Sequence, residues 1–85
     1  MTEQEIQDQL KTVIEPYVQN QEAFENLTKE TQLMEDLEVN SAHLVDIILD
    51  LEEAFDVEID DEAAEKMLTV GAALNIVQEL LNAKD

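Results

Sequence analysis

The chain has 85 residues, enough for one modest core and too few for two. Its 22 acids face four lysines and no arginine, for a net charge of −18. Such a field repels nucleic-acid phosphates and anionic membrane surfaces, which excludes both as partners, and it attracts basic protein surfaces.

An apolar content of 45% argues for a folded chain rather than an acidic tail. One glycine and one proline leave little of the turn chemistry an all-β fold needs, so an all-α domain spanning 1–85 is expected. Without cysteine there is no disulfide, thiolate metal site or thiol nucleophile. No apolar run approaches membrane-spanning length, and the acidic start Met1-Thr2-Glu3-Gln4-Glu5 is unlike a signal peptide. A cytoplasmic monomer is expected, or one in the equivalent compartment of an organelle.

Thr2 and Glu5 have the spacing of a capping box. Ile6, Leu10, Val13, Ile14 and Tyr17 follow at helical spacing, and Pro16 predicts a kink or stop close to Glu15. Residues 19–39 lack sustained periodicity and read as a packed first loop. Its anchors are Leu27, Leu33 and Leu37, with Phe24 and Met34 as further candidates, and Thr28-Lys29-Glu30-Thr31 forms a turn.

The strongest helical signal runs from Ser41 to Phe55. Leu44, Ile48, Leu51 and Phe55 share the expected core side, with Ile47 at its edge. The opposite side interleaves Ala42, Val45 and Leu49 with Asp46, Asp50 and Glu53. That mixture suits a docking surface, apolar in the middle and acidic around it. Asp56-Val57-Glu58-Ile59 reads as an extended connection with Val57 and Ile59 turned inward. A brief helix from Asp60-Asp61-Glu62 to about Lys66 follows. Thr69 then caps a last helix whose apolar face is Val70, Ala73, Leu74, Val77, Leu80 and Leu81. The expected architecture is a bundle of three main helices, one short helix and a long first loop.

No intrinsic catalytic set emerges. Ser41, the one serine, and His43 are two apart on a helix and diverge, with no nucleophile elbow around them. His43 is read as a solvent-exposed residue. One histidine and no cysteine rule out the usual zinc spacings. An EF-hand beginning at Asp56 fails because it lacks the central glycine and its twelfth position is Met67. A serine at a helix start is most simply an N-cap. The same position is an anion site, where a phosphodiester on Ser41 would sit with little strain.

Asp36-Leu37-x-Val39-Asn40-Ser41-Ala42 resembles the phosphopantetheine attachment motif of acyl carrier proteins, whose usual core is Asp-Ser-Leu. Leu51-Glu52-Glu53-Ala54-Phe55-Asp56-Val57-Glu58-Ile59 is similar to the family's Leu-Glu-Glu-x-Phe-x-x-x-Ile block. Asp61-Glu62 through Glu65-Lys66 and Thr69-Val70-Gly71-Ala72-Ala73 resemble its third helix and the start of its fourth. The likeness covers roughly residues 33 to 81. Asn40, Ala42 and Glu38 depart from the usual Asp, Leu and Gly, and point to a specialised member.

The resemblance implies a four-helix carrier with 4′-phosphopantetheine on Ser41, installed from coenzyme A by a phosphopantetheinyl transferase. Acyl groups would ride on the arm as thioesters for acyl-processing enzymes with basic patches, in fatty acid or related lipid biosynthesis. The docking residues would be Asp36, Asn40, Ala42, Val45, Asp46, Leu49, Asp50 and Glu53. Leu44, Ile48, Leu51, Ile59 and Leu74 would line a space for the acyl chain. The competing expectations are a carrier of aminoacyl, polyketide or peptide intermediates, and an unmodified acidic binding module. None of these readings makes the chain an enzyme, and none requires a metal.

Overall fold

Thr2 opens the first helix through a reciprocal capping box. Its Oγ1 accepts from Glu5 N at 3.1 Å, and its own N–H donates to Glu5 Oε1 at 3.2 Å. The computed structural model describes residues 2–84. Helix α1 (Glu3–Ile14) turns Ile6, Leu10 and Ile14 into the core. Pro16 cannot continue the ladder, so the chain tightens into a 3₁₀ turn at Glu15–Tyr17.

The first loop holds an element that periodicity did not announce. Helix α2 (Gln21–Glu25) is capped by Asn20, whose Oδ1 accepts from Ala23 N at 3.1 Å. Five residues are too few to show a helical repeat. Leu33 and Leu37 are fully buried anchors, while Leu27 and Phe24 are half-buried. Met34 is not an anchor: it stands 41% exposed. Val18 and Val39 join the core instead. The turn at residues 28–31 closes as expected, with Thr31 N donating to Thr28 O at 3.1 Å.

Helix α3 (Ser41–Phe55) follows, and its core face is rotated from the expected line. Ile47, Leu51 and Phe55 are buried, with Leu44 and Ile48 half-buried beside them. The reason is Tyr17. Its ring lies 5.4 Å from that of His43, and its hydroxyl donates to Asp50 Oδ2 at 2.8 Å. His43, Ile47 and Asp50 are spaced i, i+4, i+7 and form one stripe. Covering both ends of that stripe puts Ile47 at its centre rather than its edge.

Asp56 ends α3 in the left-handed region at φ 53°, ψ 53°. Glu52 then secures the connection, its Oε2 accepting from Ile59 N at 2.8 Å. Ile59 is buried as expected, and Val57 packs against the core half-buried. Asp60 caps the short α4 (Asp61–Glu65), with Oδ1 accepting from Ala63 N at 2.8 Å. Met67 plugs the core behind it with no exposed surface. Thr69 Oγ1 accepts from Ala72 N at 3.1 Å at the head of α5 (Val70–Lys84). Helix α5 buries Val70, Ala73, Leu74 and Val77.

The head of α5 is zipped to the first loop. Gly71 N donates to Lys29 O at 2.8 Å, Val70 N to Thr31 O at 2.9 Å, and Leu33 N to Leu68 O at 3.0 Å. A side chain at Gly71 would collide there, since a Cβ would stand 2.9 Å from Lys29 O. The expected all-α bundle is present: three long helices, with α1 packed on both α3 and α5, and the short α4. Among the described residues the core contains no polar or charged side chain. It is therefore held by apolar burial, at roughly 25 cal/mol per Å² of apolar surface.

Candidate functional site

Ser41 is the first helical residue of α3, not its cap. Asn40 takes the cap position, with extended backbone at φ −79°, ψ 165° and Oδ1 accepting from His43 N at 2.8 Å. Asn40 O then accepts from Leu44 N at 2.9 Å, closing the first turn. With that duty taken, the exposed Ser41 hydroxyl makes no hydrogen bond to any other described residue. The first turn of α3 carries no acid, although 13 acids lie between Glu35 and Glu65. Free first-turn N–H groups and the helix dipole favour an anion beside Ser41.

The segment leading to Ser41 is fixed by its own bonds. Leu37 O accepts from Gln19 N at 3.1 Å and from Asn20 N at 3.2 Å, and Val39 N donates to Leu33 O at 3.1 Å. Asp36 Oδ2 accepts from Gln32 N at 2.8 Å, so this carboxylate closes the turn ahead of the serine. Glu38 stands at φ 59°, a conformation that favours glycine, which explains why glycine is common here in the resembled motif.

Ala42, Val45, Asp46, Leu49 and Glu53 are all exposed on α3, with Val45 and Leu49 at 56% each. Asp50 departs from that group. It is half-buried and engaged by Tyr17, itself half-buried. The Tyr17 hydroxyl has its pKa raised, first by the hydrogen bond to Asp50, then by burial and the charges of Asp50 and Asp46. His43 is likewise not the exposed residue expected. Tyr17 covers it, and its Nδ1 is enclosed without a hydrogen-bond partner. Residue type gave no signal for Tyr17, because its spacing fits the α1 stripe equally well.

The five aliphatic residues expected to line an acyl space are brought together in one cluster. Leu51, Leu74 and Ile59 are buried within it, while Leu44 and Ile48 lie at its half-open margin. A surface depression lined by Glu52, Glu58, Ile59 and Asp60 opens beside Ile59. Among the described residues no group of three or more His, Asp or Glu side chains converges as a metal site. No helix among them is long and apolar enough to cross a membrane.

The fold is a small helical bundle that presents an exposed, unbonded hydroxyl at an acid-free helix start, an arrangement that suits a carrier-type domain. Comparison with known proteins agrees. The acyl carrier protein of Picosynechococcus sp. is 35% identical over 80 residues, covering 94% of this chain and 96% of that protein. That of Lactobacillus acidophilus is 37% identical over 78 residues, covering 92% and 95%. That of Desulforapulum autotrophicum is 43% identical over 56 residues, covering 66% and 73%. No family profile matches the chain. The chain belongs to the acyl carrier protein family, a family of carriers and not of enzymes.

Proposed function

We propose that this protein carries acyl groups on a 4′-phosphopantetheine arm attached through a phosphodiester to Ser41. The observation that supports this reading is the transfer of cap duty to Asn40, which leaves the Ser41 hydroxyl unbonded and exposed. The phosphate fits the residues present. It would lie beside the free N–H groups of the first turn of α3, where no acid stands against it. When bound, the arm supplies the thiol this cysteine-free chain lacks, and acyl groups are held on it as thioesters.

The chain's own residues hold the attachment point and select the enzymes. Asn40 fixes the first turn, Leu33 and Leu37 anchor the segment before it, and α3 offers its outer face. On that face Ala42, Val45 and Leu49 form an apolar centre between Asp46 and Glu53. A phosphopantetheinyl transferase or an acyl-processing enzyme with a basic, apolar-centred patch complements it. The side chains of Leu44 and Ile48, at the margin of the core, form the entry for an acyl chain toward Leu51, Ile59 and Leu74. The setting we infer from the family is fatty acid or related lipid biosynthesis in the cytoplasm.

Intact mass before and after incubation with coenzyme A and a promiscuous phosphopantetheinyl transferase tests the reading. The expected result is one added phosphopantetheine on the native chain and none on Ser41→Ala. A native chain that gains no mass, or a Ser41→Ala chain that does, overturns it.

A further inference from the structure

Four large apolar side chains stand exposed among the described residues: Met34, Val45, Leu49 and Leu68, between 41% and 56%. Val45 and Leu49 belong to the outer face of α3. Met34 and Leu68 do not, and nothing in the fold's own packing uses them.

Their placement relates them to each other and to Ser41. Leu33 N donates to Leu68 O at 3.0 Å, and Gln32 and Thr69 form an antiparallel bridge. Met34 and Leu68 therefore flank one backbone junction, where the first loop meets the turn between α4 and α5. Leu33 O in turn accepts from Val39 N at 3.1 Å, two residues before Ser41. The junction is thus tied directly to the segment that delivers the serine. Val45 and Leu49 follow Ser41 one and two turns along α3. Ser41 is thus linked along α3 to Val45 and Leu49 and, through the Val39–Leu33 and Leu33–Leu68 bonds, to the junction that carries Met34 and Leu68.

Two further features favour a protein partner over mere solvent exposure. The first is rigidity. Bonds from Gly71 N, Val70 N and Leu33 N hold the junction at 2.8, 2.9 and 3.0 Å, so Met34 and Leu68 are presented on ordered backbone. A pre-ordered surface loses less conformational freedom on binding. The second is charge. Glu35, Asp36 and Glu38 follow Met34 and are exposed, and Glu65 precedes Leu68. Two cations belong to the same junction, and each is paired with an acid: Lys66 Nζ lies 3.7 Å from Glu62 and Lys29 Nζ 2.8 Å from Glu3. An apolar pair whose exposed neighbours are mostly acids complements a basic surface with its own apolar centre.

We propose that Met34 and Leu68 form a second contact for the transferase that loads Ser41, whose basic surface straddles the serine and touches both apolar pairs. The proposal rests on Ser41 as the attachment point. It extends the docking surface beyond α3 to the junction of the first loop with the α4–α5 turn.

The test uses the full chain and a promiscuous phosphopantetheinyl transferase with coenzyme A. Loading rates follow from intact mass, and contacts from amide shifts of the ¹⁵N-labelled chain titrated with the enzyme. Met34→Ser combined with Leu68→Ser should lower kcat/KM about fivefold to tenfold, mainly through KM, as removal of interface anchors does. Its melting temperature should stay near that of the native chain, because both side chains are already exposed. Met34→Leu with Leu68→Met should load at the native rate. In the titration, amides of residues 33–35 and 67–69 should shift along with those of α3. Native loading by the double serine variant, with shifts confined to α3, overturns the second contact and leaves Ser41 as the attachment point. Absence of loading on the native chain overturns both readings.

Discussion

Tyr17 and Asp50 lie 33 positions apart and are joined by a 2.8 Å hydrogen bond from the phenol to the carboxylate. The bond pins the 3₁₀ turn after α1 to the flank of α3, beside the face that begins at Ser41. Tyr17→Phe keeps the ring against His43 and removes this bond, so thermal unfolding should occur at a lower temperature. The raised Tyr17 pKa gives a second signature. Its contribution to stability is fully present below the unfolded value of about 10, and is lost as pH rises from there through the raised folded value. Melting curves between pH 8 and 11 should fall more steeply for the native chain than for Tyr17→Phe.

Asn40 and Ser41 divide two roles that one residue was expected to fill. Asn40→Ala leaves the His43 N–H without its acceptor, and should cost about 1 kcal/mol in urea unfolding. Ser41→Ala touches no hydrogen bond, so its stability should match the native chain while loading is lost. A Ser41→Ala protein as destabilised as Asn40→Ala would return cap duty to the serine.

Glu38 is held at φ 59° without the freedom of glycine. The left-handed region costs an ordinary residue roughly 1–2 kcal/mol, partly offset by the greater chain entropy of an unfolded glycine. Glu38→Gly should therefore stabilise the protein by about 0.5–1 kcal/mol, read by denaturant midpoint. Glu38→Ala, which removes the charge and keeps the side-chain restriction, should gain less.

Val45 and Leu49 are one turn apart on the exposed side of α3. Leu49→Arg places a cation where a basic partner would dock, and Glu53→Lys reverses a neighbouring acid. Each should lower the loading kcat/KM about tenfold or more while far-ultraviolet circular dichroism is unchanged. Unaltered rates in both variants would move the docking surface off α3.

The net charge of −18 opposes compaction. Raising the salt from about 10 mM to about 150 mM shortens the screening length from about 30 Å to about 8 Å. The melting temperature should rise across that range, and magnesium should raise it at lower concentration. A melting temperature insensitive to both would show that self-repulsion is not a significant term in this fold.

Much of this architecture can be read directly from residue order. Helix α1 with its capping box, the stop at Pro16, and the acid-started α4 each follow from local steric and hydrogen-bonding rules acting within a few residues. The α5 face does too, because a long amphipathic repeat has one way to hide its aliphatic side. Helix α2 escaped because its single cap and five residues carry no period. The exposure of Met34 escaped because a methionine in a loop looks the same whether it turns inward or outward.

Residue order alone places a single serine at the head of the chain's strongest helix, within a motif resembling that of carrier proteins and in a heavily acidic setting. Residue order left Asn40 and Ser41 both able to cap that helix, and the folded chain gives the cap to Asn40, leaving the hydroxyl unbonded. The fold also brings Tyr17 onto Asp50, away from the outer face of α3, and sets Met34 and Leu68 at one backbone junction. The physical reason is the range of the interactions. Capping boxes and the faces of α1 and α5 are set by neighbours in sequence, whereas the face of α3 is turned by Tyr17. The Tyr17–Asp50 bond and the Leu33–Leu68 junction join segments more than thirty residues apart, and such pairings exist only once a shared core has brought the segments together.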